Sequence, residues 1–548
     1  MNLYHRRFLV AFLSLVTARM AVLADDAPRS ISPPVADRQM GAVDAMKPGE
    51  MKPGEMKPGE MKPGAPGDAI PPASPAAPGT PPAGRAVESA SSEPPVDEAR
   101  IDAMAARIDA LLEAAWARQG IVPAPPASDM QFLRRVSLDL IGRIPRLDEA
   151  REFLVDRSPS GRRKLVERLL RSREHADYMA AVWHGALLPD VGGSTSLEPW
   201  LAGRFAAGAG YDQIARSIVT AAAKGMGEQA LAVPLDRKPT ELAAAVSRTF
   251  LGTQIQCAEC HKHPTDVWTQ DDFWGFAAFF GPVKHPQGGA DVSPRFLGAA
   301  APLDSGADGR QQLPDWLVSA SNPWFAKAAV NRLWGLLFGA GIVHPIDDFG
   351  GHNPPADADV LEDLAGFFAA GGWNHRDVLR VLTRTRAYGL SGGDGRLFAA
   401  MPLEPLNAVQ LYNSLATAYQ APRLAGNGRQ ANNGGQVSRV DQFLAKFRSA
   451  PGQEREYTAG IPQAITMMNG QIFDPMRAVY HEAMLTAAND AERVEGLFLA
   501  TVSRPPVATE LATCLEVLGR ETTAAGRRMA LIDIHWALVN SAEFAFSP

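Results

Sequence analysis

Residues 46–64 repeat the pentad Met-Lys-Pro-Gly-Glu, and Pro, Ala, Gly and Ser dominate the chain onward to about Pro95. Proline at this density removes backbone donors and clashes with a helical or sheet ladder. Too little apolar surface remains to offset the entropy of ordering the chain. Residues 25–95 therefore read as a disordered, low-complexity linker, and any fold is built from residue 96 onward. Lys and Glu alternate in the pentad, so the segment is nearly neutral. About 70 residues at roughly 3 Å each reach on the order of 200 Å when stretched. A spacer across a crowded envelope and a repeat expansion without a role both fit.

Ahead of the linker, Met1 to Arg7 carry His5, Arg6 and Arg7, and Phe8 to Ala18 form an apolar run of signal-peptide length. Val22-Leu23-Ala24 supplies a small-residue cleavage site before Asp25-Asp26. The expectation is a signal peptide over residues 1–24 and export to a periplasmic or extracellular space. The competing reading is an uncleaved anchor, but the run is short for a bilayer and Arg19 interrupts it. No cysteine follows the cleavage site to take a lipid. No later segment approaches a membrane span, so the mature chain is expected to lack one.

From residue 96 the composition turns globular. About 450 residues exceed what one core holds, so two or three domains are expected. The formal net charge of −6 is mild, and no basic cluster interleaves with aromatics, which sets nucleic acid aside as a partner. The G-x-x-x-x-G-K-S/T, G-x-S-x-G and H-E-x-x-H signatures are absent, so enzyme status stays open. Apolar periodicity is helical throughout. Ile101, Met104, Ile108, Leu111, Leu112 and Trp116 form one stripe, ended near Gly120. Phe132, Val136, Leu140 and Ile141 form a second, broken by Pro145. Leu165, Val166, Leu169 and Leu170 follow, and Leu242, Val246, Phe250 and Ile255 extend a helix toward Cys257. Residues 328–338, 360–370, 377–386, 407–419, 491–502 and 528–540 read as further helices. Gly- and Pro-rich loops cover 286–314 and 426–436. The expected fold is mostly α: a helical domain over 96–285, a linker over 286–314 and a second helical domain over 315–548.

Cys257-Ala258-Glu259-Cys260-His261 reads C-x-x-C-H, the attachment signature of a c-type haem. Two thiols at that spacing form thioethers to haem vinyl groups, and the adjacent imidazole ligates the iron proximally. Histidine is 11 of 548 residues, so its place directly after the second cysteine is not a matter of abundance. Export is the compartment for such attachment, and also one where a bare C-x-x-C oxidises. Zinc on Cys257, Cys260, His261 and His263 is the alternative, requiring a sharp bend, and a redox-active disulfide is another. Phe250, Ile255, Trp268, Phe273, Trp274, Phe276, Phe279 and Phe280 supply either an apolar shell for a haem or ordinary core. Met467, Met468, His285 and His352 are candidate distal ligands.

The Gln131–Pro145 stretch, QFLRRVSLDLIGRIP, resembles the opening of the planctomycete cytochrome-like proteins, domain of unknown function 1549. The Phe250–His261 stretch resembles its closing motif, with His263-Pro264, Asp266, Trp268, Gln270, Asp272 and Phe273 after it. Asn322-Pro323, Asn331-Arg332, Trp334, Phe338-Gly339, Gly341, Asp348-Phe349-Gly350 and Gly372-Trp373 resemble the partner domain, domain of unknown function 1553. Ile461–Ala464, Met467–Gly470, Ser503–Pro506 and Asn540–Phe544 resemble its C-terminal half. Lys262 and Thr265 depart from an expected Asp and Phe, and Ala356-Asp357 replaces a Ser/Thr-His pair. The resemblance implies cytochrome character through the same C-x-x-C-H, and an exported partner protein without a named reaction.

Three readings follow. The protein transfers electrons or senses redox state through haem; it carries a structural zinc or disulfide; or it is a cofactor-free scaffold for an exported enzyme or polysaccharide. Asp347-Asp348 reads as a cation or acid/base pair, or as plain capping and solvation. His263 is expected to support the site rather than ligate the same iron as His261. Cys514, among Leu511 and Leu515, reads as a buried free thiol.

Overall fold

A computed structural model describes residues 96–156, 158–188, 196–224, 237–303, 309–421, 439–447, 473 and 487–547. The expected signal peptide, the linker of residues 25–95, the loop at 426–436, and Met467 and Met468 lie outside the described residues. The described chain is mostly α as expected: 19 α-helices, and a single antiparallel pair of two-residue strands, Glu404–Pro405 with Phe546–Ser547.

The first stripe forms the Glu98–Gln119 helix. The Asp97 side chain caps it by accepting from the Arg100 N–H, and Gly120 ends it at φ 64°. Ile101, Met104, Ile108, Leu112 and Trp116 are all buried. The second stripe forms the Asp129–Ile141 helix, started by a capping box between Ser128 and Gln131. Every residue from Phe132 to Ile141 is buried, the charged ones included. A helix covered on all faces lies at the centre of its protein, and this one does.

One apolar core runs from Ile101 to Met401, so residues on both sides of 286–314 share it. Part of that Pro-rich stretch is itself helical, because the Gly309–Leu317 helix begins inside it and tolerates Pro314. A second core gathers Val494, Leu497, Phe498, Cys514, Ile534 and Leu538. A third joins Leu138 and Ile144 to Leu411, Leu415, Phe443 and Phe544.

Buried arginines of the central helix tie these parts together. Arg134, 3 % exposed, donates to the carbonyls of Thr501 (3.1 Å), Glu543 (3.1 Å), Phe544 (2.8 Å) and Phe546 (3.2 Å). Thr501 ends the Asp490–Thr501 helix and Phe544 lies in the final Ala542–Ala545 turn. These are carbonyls that helix ends leave without intrahelical donors. Arg135 donates to the carbonyls of Tyr388 (2.6 Å) and Leu390 (2.9 Å), and Asp139 accepts from the Tyr388 hydroxyl at 2.9 Å. Arg143 binds both carboxylate oxygens of Glu149 and also reaches Glu174 at 2.6 Å. Burial pushes the Arg134 guanidinium down to about 10, so it remains charged at neutral pH.

Arg134→Met removes the donor and strands several buried carbonyls. We expect a loss on the order of 3 kcal/mol, whereas Arg146→Ala, on an exposed ion pair, stays within about 1 kcal/mol. Urea midpoints of the two variants against wild type check this.

Candidate functional site

The Pro239–Phe250 helix leads toward the C-x-x-C-H and stops short of it. Periodicity alone carries it to Ile255, but Gly252 turns the chain at φ 62°. A Cβ at Gly252 would lie 2.5 Å from the Phe349 ring, so only glycine allows this approach. The Gly252 carbonyl accepts the Phe349 N–H at 2.8 Å, and Gln254 Nε2 donates to Asp347 Oδ1 at 2.9 Å. The chain entering the motif is thereby laid against the 347–349 loop.

A 3-10 turn over Gln256–Glu259 follows. It buries Ala258 and leaves Cys257, Cys260 and His261 exposed. Both cysteines are free thiols. The turn is pinned from below by the Gln270–Ala277 helix. Gln270 Nε2 donates to the Cys260 carbonyl at 2.8 Å and Trp274 Nε1 to the Glu259 carbonyl at 3.1 Å. That helix is fixed in turn by a Thr269–Asp272 capping box, and Arg295 Nη2 donates to Asp272 Oδ1 at 2.7 Å.

The two histidines of the loop differ in tautomer. His261 Nδ1 lies 2.8 Å from the Lys262 carbonyl. A carbonyl only accepts, so Nδ1 carries the proton and Nε2 is the bare nitrogen of the neutral ring. His263 Nδ1 lies 3.0 Å from the Asp266 N–H. An amide only donates, so this ring holds its proton on Nε2. His261 is thus prepared to ligate through Nε2, and His263 is not without losing its loop contact. The His263 N–H also donates to the Trp268 carbonyl at 2.9 Å, and Trp268 is 5 % exposed, so Asp266 and Trp268 order the loop. Among the described residues no group of three or more His, Cys, Asp or Glu side chains is placed to hold a metal ion.

The neighbouring candidates have other partners. Asp347 is buried and bound to Gln254, while Asp348 Oδ2 lies 3.1 Å from His352 Nε2. The two carboxylates do not act as a pair. His285 Nε2 lies 3.4 Å from Asp271 Oδ1. Asp357, which replaces an expected histidine, caps the Ala358–Ala370 helix by accepting from the Asp359 and Val360 N–H groups. The aromatic residues near the motif are core. Phe250, Phe273, Phe276 and Phe279 are wholly buried, and Phe276 packs edge-on to Phe279, Phe280 and Trp316. Cys514 is a buried free thiol, pushed up to about 12 by burial and then by the nearby Glu510 carboxylate. A buried contact between His175 and His375, 200 residues apart, carried no sequence signal, since neither residue belongs to a motif.

Residues 107–285 match the family model PSCyt2, described as a protein of unknown function (DUF1549). Residues 309–436 match PSD1, described as a protein of unknown function (DUF1553). The chain carries a DUF1549 domain followed by a DUF1553 domain. The C-x-x-C-H lies within the last part of the DUF1549 match, and the 347–349 loop packed against the chain entering it lies in the DUF1553 match. The resemblance of residues 461–544 to the later part of DUF1553 lies beyond the match. No curated protein and no solved structure matches the chain.

Exposure sets thiol reactivity. In cofactor-free, reduced DUF1549–DUF1553 protein, titration with a thiol-reactive chromophore is expected to find two reactive thiols, Cys257 and Cys260. The third, Cys514, is expected to react only after denaturation. Cys514→Ser should leave the native count at two, and a native count of three would contradict the burial.

Proposed function

We propose that this DUF1549–DUF1553 protein is exported and carries a covalently attached c-type haem, through which it transfers electrons or senses redox state outside the cytoplasm. Cys257 and Cys260 are the thioether anchors and His261 is the proximal ligand. The observation that carries this reading is the hydrogen bond from His261 Nδ1 to the Lys262 carbonyl. It leaves Nε2 as the ligating nitrogen, held by the kind of outer contact that orients metal-bound histidines. Two exposed thiols on one short turn supply the anchors.

When bound, haem supplies reversible one-electron chemistry. The chain's own residues set its place. Gln270 and Trp274 hold the carbonyls of Cys260 and Glu259 and so fix the thiol spacing. The Lys262 carbonyl keeps the imidazole in one tautomer, and its acceptance of the Nδ1 proton raises the ring's basicity. His263 braces the loop through the Asp266 N–H and the Trp268 carbonyl. A site this exposed is suited to exchange with another exported protein docking on the turn. The runner-up is a structural zinc or a dithiol–disulfide in a secreted scaffold that partners an exported enzyme. The engaged Nδ1 of His263 counts against the four-ligand zinc set.

The test is the visible spectrum of protein exported from a host with c-haem maturation. A haem band retained after denaturation is expected in wild type. Cys257→Ser with Cys260→Ser should abolish it, because hydroxyls do not replace the thioethers. His261→Ala should shift the band and lower its yield, and His263→Ala should change it little. Wild type without haem but with stoichiometric zinc would replace this reading with the runner-up.

A further inference from the structure

We infer that His175 and His375 form a proton-sensitive contact between the DUF1549 and DUF1553 domains, a latch that is strongest at neutral pH and weakens in acid. His175 lies on the Arg173–Leu187 helix and His375 opens the His375–Arg384 helix. The imidazoles are 0 % and 2 % exposed. Their rings are nearly parallel, at an interplanar angle of 8°, and meet edge to edge with Nε2 atoms 3.2 Å apart.

The proton count of the pair follows from its partners. His175 Nδ1 lies 2.8 Å from the Leu140 carbonyl, which only accepts, so that nitrogen carries a proton. His175 Nε2 is then bare and accepts from His375 Nε2–H. His375 Nδ1 is left as a buried, bare nitrogen with no hydrogen-bond partner. The closed contact is therefore most favourable with both rings neutral. A proton added to His175 Nε2 would set two N–H groups against each other. A proton added to His375 Nδ1 would bury an imidazolium without an acceptor.

The charged surroundings make both additions worse. From the His375–Arg384 helix, Arg376 and Arg380 act on both imidazoles as like charges. Arg380 is held there by Glu167 of the Gly161–Arg171 helix at 2.8 Å and by Asp377 at 2.8 Å. Both carboxylates face the arginine. Arg376 Nη2 donates to the Phe205 carbonyl at 3.0 Å. From the Leu197–Ala206 helix the Phe205 ring meets His375 edge-on at 5.0 Å. Glu174, beside His175, is bound to Arg143.

The sign is set by linkage. Once the contact opens, each ring titrates near the ordinary histidine value of about 6.5. Closed, burial holds His175 down at about 3, and burial followed by its cationic neighbours holds His375 well below its usual range. The open state binds more protons between those limits. The latch is at full strength above about pH 6.5 and weakens as pH falls toward 3.

Native-state hydrogen exchange on the full chain, corrected for the intrinsic pH dependence of exchange, tests this. Between pH 7 and pH 5 the opening constant of peptides from the Arg173–Leu187 and His375–Arg384 helices should rise on the order of 600-fold. In His375→Gln the rise should shrink to roughly 25-fold, one histidine's share. Peptides from the Asp490–Thr501 helix, in a different core cluster, should change by less than about threefold. A wild-type rise no larger than the variant's, or an equal rise in the Asp490–Thr501 helix, would overturn the latch. Wild type alone also decides it by nitrogen NMR of labelled histidine at pH 5.5. Two rings with one bare nitrogen each are expected, and an imidazolium signal from His175 or His375 in folded protein would refute it.

Discussion

The Arg134 guanidinium ties the central helix to the C-terminal end of the chain. A buried cation is costly unless its donors are used, and Arg134 spends its two terminal nitrogens on the ends of other elements while its Nε stays without a partner. It gathers the carbonyls of Thr501, Glu543, Phe544 and Phe546, more than 360 residues downstream of it. A positive charge there also meets the negative ends of helix dipoles. Arg135 does the same one step along the helix for Tyr388 and Leu390. The adjacent arginines of the DUF1549 opening motif are thus the means by which the Asp129–Ile141 helix holds later parts of the chain. The C-terminal end repeats the device, since Arg504 binds Glu510 and Glu543 together.

This explains what could and could not be read from the sequence. The Glu98–Gln119 and Asp129–Ile141 helices were legible because their apolar spacing, caps and terminal glycines all act within a few residues. The apparent helix from Leu242 to Ile255 was not broken by any local signal strong enough to see. Its end at Phe250 depends on Phe349, a contact across the domain boundary. Helices such as Leu197–Ala206 and Tyr211–Lys224 escaped notice between the more obvious stripes. Arg134 and Arg135 read as part of a family motif, but their acceptors are backbone carbonyls, which every residue has. The His175–His375 contact is invisible for the same reason of distance. At the site, the C-x-x-C-H spacing named the three residues. The tautomers that separate His261 from His263 rest on single backbone groups of Lys262 and Asp266, and no residue type announces those.

The frame also bears on what the motif can do. Aromatic residues around the C-x-x-C-H are spent on core: Phe279 stacks on Phe296, and Phe296 on Trp316. They form a packed layer beneath the turn. The turn is coupled to DUF1553 through Gly252–Phe349 and Gln254–Asp347, so its position depends on both domains being docked. A haem on Cys257 and Cys260 would be held by exposed residues. Exposure of that kind shortens the path to a partner and lets solvent reach the iron's surroundings, which sets its potential. Release of the two domains from each other, wherever it occurs, would act on the site through Phe349 and Asp347, because these DUF1553 residues are the ones that press on the chain entering the motif.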